Sequence, residues 1–116
     1  MKIHIYILCL VFNTVYSESV FKNVTVLDIT SKSEMRSYMK SISKDLGVKC
    51  SHCHDMDDKS LDTPQKDITR EMIKLTRYLN DLLNSQSEDS LQNNTYVSCW
   101  TCHYGQLQPA ARRTEK

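Results

Sequence analysis

Apolar residues recur at Met35, Met39, Ile42 and Leu46, in steps of 4, 3 and 4 that place them on one face of an α-helix. The S-x-x-E spacing of Ser31 and Glu34 just before them is a capping box. Gly47 behind them is a C-terminal stop, so a helix is expected over Lys32–Leu46. A second stripe, Ile68, Met72, Leu75, Leu79 and Leu82, follows Thr63 and Pro64, a capping residue and then proline at the first helical position. It predicts a helix over residues 64–83, with Arg70, Lys74, Arg77 and Asp81 on its solvated face. Residues 55–62 read as an acidic loop and residues 85–95 as a polar, flexible one. Residues after Gln106 read as a loose basic tail. Residues 21–29 alternate weakly and predict an extended lead-in or a short strand.

The first 17 residues have a different pattern. Lys2 precedes an apolar run over residues 3–12, and Val15-Tyr16-Ser17 offers a small residue at a cleavage point. A short basic start, a run of about ten apolar residues and a small residue at the cut describe a secretory signal. The run falls short of the ~20 residues a membrane-spanning helix needs. An exported chain, periplasmic in a bacterium, with no transmembrane span after signal removal is therefore expected. Cys9 goes with the signal, and so does Lys2, which leaves equal numbers of basic and acidic residues.

Composition narrows the function. At 116 residues the chain has room for one small domain, and such a chain buries little of its own surface without a staple or cofactor. Two glycines exclude Gly-rich phosphate loops and disfavour a many-stranded β fold. A net charge of +1, from 15 basic and 14 acidic residues, gives no footprint for nucleic acid. Four cysteines remain after residue 17 in a compartment that oxidises idle thiols, so their spacing decides their use.

They stand in two copies of C-x-x-C-H: Cys50, Cys53 and His54, then Cys99, Cys102 and His103. This is the attachment signature of c-type haem. Two thiols one turn apart reach both vinyl groups on one porphyrin edge, and the next residue brings an imidazole to the iron as proximal ligand. A zinc site closed by four thiolates, or a pair of disulfides, leaves both histidines without a role. A thioredoxin-like dithiol needs a βαβ context that is missing here. Calcium in the acidic loop fails the EF-hand pattern, with Ser60 and Lys66 where Gly and Glu are required. Two covalently bound haems c, on Cys50, Cys53, Cys99 and Cys102, with His54 and His103 on the irons, are therefore expected.

The opposite face of each iron has several candidates: Met35, Met39, Met56, Met72 and His52. A thioether opposite His fills the iron and raises its potential, which suits electron transfer. Met39 is favoured for the first haem, with Met35 one turn away as rival, and Met72 for the second. His52 sits inside the attachment turn and is expected to point outward.

Met39 lies eleven residues before Cys50, followed by Leu46-Gly47-Val48-Lys49-Cys50 through His54. With Asp67-Ile68-Thr69-Arg70-Glu71-Met72-Ile73-Lys74 and Val97-Ser98-Cys99 through His103, these segments resemble the cytochrome c subunit of photosynthetic reaction centres, and more closely its small dihaem relatives. The resemblance spans roughly residues 21–109. It implies a mostly α-helical multihaem cytochrome: two helix–loop–C-x-x-C-H units packed around two haems, with little or no sheet. It also implies that Met39 and Met72, from the preceding helices, are the sixth ligands. The chain departs from the family in having two motifs instead of four, and Tyr104 where relatives often carry Arg. The expected layout is a signal at 1–17, a lead-in at 18–30, a dihaem domain at 31–109 and a tail at 110–116. The expected function is relay of single electrons between redox partner proteins. With the propionates of two haems added, the loaded protein would be acidic and suited to a basic partner. The other class left open is a small dihaem peroxidase or reductase with one open iron position.

Overall fold

The computed structural model describes residues 20–85 and 96–110. The expected signal, the polar loop from 86 to 95 and the tail from 111 lie outside the described residues. The described residues form, in order, α1 over Lys32–Leu46, α2 over Pro64–Ser85 and α3 over Cys99–His103, with a 3₁₀ turn at Cys50–His52. Among the described residues there is no strand, so the mostly helical expectation holds and the optional strand at 21–29 is absent.

Helix α1 has the predicted limits. The Ser31 hydroxyl accepts from the Glu34 N–H at 3.4 Å, the forward half of the capping box. At the other end Gly47 takes a left-handed φ of 64°, which residues with a Cβ adopt at a cost. Its N–H donates to Lys44 O at 3.2 Å and that of Val48 to Ser43 O at 3.0 Å, a Schellman closure. Helix α2 starts as predicted, the Lys66 N–H donating to Thr63 Oγ1 at 3.3 Å. It runs on to Ser85, two residues past the expected end.

Met35, Ile42, Leu46 and Ile73 are the buried apolar side chains among the described residues. Ile42, Leu46 and Ile73 form the core, with Val26, Leu27, Tyr38, Met39, Val48 and Cys99 packed on them. The stripe residues Ile68, Met72 and Leu75 are 63%, 40% and 47% exposed, and the helix meets α1 through Ile73. A helix with a wide apolar sector can face two surfaces, and among the described residues its Ile73 edge is the one packed into the core. Arg70, expected on the solvated face, bonds Asp62 and Asp67 at 2.7 Å each, with its side chain only 20% exposed. The lead-in contributes Val26 and Leu27 to the core as irregular backbone, with Asn23 at φ 62°.

Helix α3 lies against α1. The Gly105 N–H donates to Asp45 O at 2.9 Å, tying the end of the second motif to the last turn of α1.

Candidate functional site

Both cysteine motifs are wound into single turns, by different means. In the first, His52, Cys53 and His54 N–H groups fold back onto Lys49 and Cys50 carbonyls at 2.9–3.3 Å. In the second, Ser98 and Thr101 make a reciprocal capping box, the Ser98 N–H donating to Thr101 Oγ1 at 3.0 Å. A single turn puts the paired thiols on one side, the spacing a shared macrocycle edge requires.

Helix α2 brackets both motifs. At its start, the Thr63 hydroxyl that caps the helix also donates to Cys53 O at 2.8 Å. Further along, Asn80 grips the backbone of Val97 with both ends of its amide: Nδ2 donates to the carbonyl at 2.9 Å and Oδ1 accepts the N–H at 2.8 Å. That pairing supplies the strand-like partner that an isolated extended segment otherwise lacks.

Two clefts open on these motifs. The first is lined by Met39, Cys50, Cys53 and His54, with Val26 of the lead-in on its wall. The second, a cavity of about 600 Å³, is lined by Met72, Cys99, Cys102 and His103, with the exposed stripe residues Ile68 and Leu75. That volume is in the range of a cofactor site. The α2 stripe is therefore the apolar wall of a cleft, not part of the protein's own core. Ile42, Cys53, Thr69 and Ile73 line both clefts, so the two are separated by a wall one side chain thick.

Each trailing histidine is oriented by a carbonyl. His54 Nδ1 lies 3.2 Å from Lys59 O, and His103 Nδ1 lies 2.9 Å from Gln106 O. A carbonyl only accepts, so Nδ1 carries the proton and Nε2 presents its lone pair. Metal-bound histidines are held in the same way. Met39 lies with His54 on the first cleft and Met72 with His103 on the second. Met35 is buried and lines neither. Met56 is 54% exposed on the acidic loop. His52 does not point outward as expected; it is half-buried and lines the second cleft.

Charge separates the two sites. Among the described residues, Lys22, Lys49, Lys59, Lys66 and Arg70 line the first cleft with no carboxylate on its walls, while no charged side chain lines the second. Beside the second, burial pushes the Cys99 thiol up, and the Asp45 carboxylate adds to it. Tyr38 is raised chiefly by burial as well. The acidic loop is closed on itself. Asp55 Oδ1 accepts from the N–H groups of Asp57 and Asp58 at 2.8 and 3.0 Å. These bonds hold its carboxyl below the usual range. Among the described residues no three His, Cys, Asp or Glu converge as a metal cage, and no disulfide joins the four cysteines.

Thiols paired across one turn, an imidazole with its Nε2 free, a thioether on the same cleft and apolar walls form a donor set that fits haem c. A mostly helical chain built on such turns has the architecture of a c-type cytochrome. The chain belongs to the photosynthetic reaction centre cytochrome C subunit family, whose pattern matches residues 12–115. It is 36% identical over 85 residues to cytochrome c-554 of Chloroflexus aurantiacus, an alignment covering 70% of this chain and 20% of that protein. The chain thus spans about a fifth of the length of that relative.

Thr63, Asn80, Lys59 and Gln106 were not singled out from sequence as site residues. Asn80 left a signal, being a poor helix former inside a long helix. The carbonyls of Lys59 and Gln106 left none, since any residue supplies a carbonyl.

Proposed function

We propose that the chain holds two haems c and relays single electrons between partner proteins outside the cytoplasm. The first haem would be held by Cys50 and Cys53 with His54 and Met39 on the iron. The second would be held by Cys99 and Cys102 with His103 and Met72. The observation that carries the reading is that each cleft gathers its own complete set: a cysteine pair, an oriented histidine and one methionine. Bound haem supplies one-electron redox chemistry. The chain's residues fix its axial field and keep water from its faces. The thin wall of Ile42, Cys53, Thr69 and Ile73 supports fast exchange between the two sites. Export is supported by the signal-like residues 1–17, and no helix of the described residues is long and apolar enough to cross a membrane.

A relay has both irons closed, whereas a peroxidase or reductase leaves one open. Adding cyanide to the ferric protein tests this, with hydrogen peroxide turnover as a second reading. The proposal expects no spectral change at millimolar-scale cyanide and no turnover. Cyanide binding at one of the two irons, with turnover, would replace the relay by the enzyme.

A further inference from the structure

The carbonyl that orients His54 is shared. Lys59 O accepts from His54 Nδ1 at 3.2 Å and also from the Lys66 ammonium at 2.6 Å. Lys66 Nζ donates in addition to Leu61 O, so both of these bonds go to neutral acceptors. Gln106 O, the counterpart at the second site, has no ammonium among its described partners. Of the other cations on the first cleft, Arg70 is ion-paired to Asp62 and Asp67. The carboxylates that feel Lys66 are Asp58 and Asp62, both on the exposed loop outside the cleft walls.

We infer that Lys66 is a positioning residue that raises the reduction potential of the first site above that of the second, so that electrons entering the protein come to rest beside His54. Two effects act with the same sign. An ammonium on Lys59 O draws density from that oxygen and weakens its hold on the His54 N–H. The imidazole is then a poorer donor to ferric iron. The positive charge at the cleft, opposed from the exposed loop by Asp58 and Asp62, also disfavours the more positive oxidised state directly. Among the described residues the second cleft has neither effect. The inference rests on His54 ligating one of two haems.

The test is a spectroelectrochemical titration of the haem-loaded full chain, wild type against Lys66→Gln and Lys66→Arg. Gln can still donate to a carbonyl but removes the charge, and Arg restores it. Wild type is expected to show two one-electron waves. In Lys66→Gln the upper wave alone should fall, shifting the electron distribution between the sites about tenfold, ~59 mV for a one-electron couple. In Lys66→Arg it should return. The His54 Nδ1–H proton resonance of the reduced protein should move downfield in Lys66→Gln, as the carbonyl recovers its acceptor strength. Should Lys66→Gln not load haem, Asp58→Asn removes a charge opposing Lys66, and the upper wave should rise. An unmoved upper wave, or equal movement of both, overturns the inference while leaving two haems in place. A single wave in wild type, with one haem per chain, instead overturns the dihaem reading beneath it.

Discussion

Gly47 and Gly105, the chain's two glycines, meet backbone to backbone: a Cβ built on Gly47 would overlap the Gly105 carbonyl oxygen and sit 3.0 Å from its carbon. Gly47 closes α1 and Gly105 follows the second motif, so this approach joins the two halves of the molecule. Both need positive φ, 64° and 79°. Gly47→Ala is expected to cost about 3 kcal/mol, from left-handed strain plus overlap with backbone that cannot turn aside. Gly105→Ala meets the Trp100 ring edge at 3.3 Å, which can shift, and should cost about half as much. Denaturant unfolding of the loaded protein measures both. Equal stability of Gly47→Ala and wild type would contradict the packing.

The methionine assignments separate by cleft. Met39→Ala and Met72→Ala should each remove about half of the near-infrared sulfur-to-iron band of the ferric protein. Met35→Ala should keep the full band while losing about 2–4 kcal/mol of stability, because Met35 is buried and lines neither cleft. A band halved by Met35→Ala and untouched by Met39→Ala would reverse the assignment.

Helix α2 holds the two motifs by separate bonds that can be cut independently. Thr63→Val removes the helix cap and the bond to Cys53 O, and should cost about 1–2 kcal/mol. Asn80→Leu leaves both backbone groups of Val97 without their partner and should cost about 2 kcal/mol. Hydrogen exchange should quicken near Cys53 in the first variant and near Val97 in the second. Exchange quickening at the other motif would show that the brackets are not local.

The acidic loop sets an acid limit. Bonds from Arg70 and then Asn23 hold the Asp62 carboxyl below its ordinary value of 3.8. A carboxyl whose pKa falls on folding stabilises above its unfolded value, and that contribution is lost as pH falls through the lower, folded one. The tie between Asn23 and Asp62, 2.9 Å long, should therefore hold throughout the neutral range and release only below about pH 3.8. The Asn23 side-chain amide resonances followed by pH titration check this. Asp62→Asn should abolish the transition, and release near neutrality would contradict it.

Much of this architecture could be read from the residue order because its signals are local. Ser31, the Met35-to-Leu46 period and Gly47 gave the limits of α1, and Thr63-Pro64 gave the start of α2. The two C-x-x-C-H motifs carry their chemistry in five consecutive residues. What sequence reasoning missed depends on where a face points. The stripe on α2 reads as a surface for a haem and does line the second cleft, but it leaves Ile73 unmarked. Ile73, one position off that stripe, is buried because α1 crosses there. Arg70 read as solvated because Asp62, one of its two partners, lies eight residues away in a loop. His52 reached the second cleft because the first motif forms part of the wall between the clefts, a relation between segments far apart in sequence.

The central claim is two haems on one chain, and the intact mass of the protein expressed with haem-attachment machinery tests it most directly. Together with a pyridine haemochrome count on the same sample, the account predicts two covalently attached haems per polypeptide. Loss of both cysteines in either motif should leave one haem at the other. One haem or none on the unaltered chain would contradict the account.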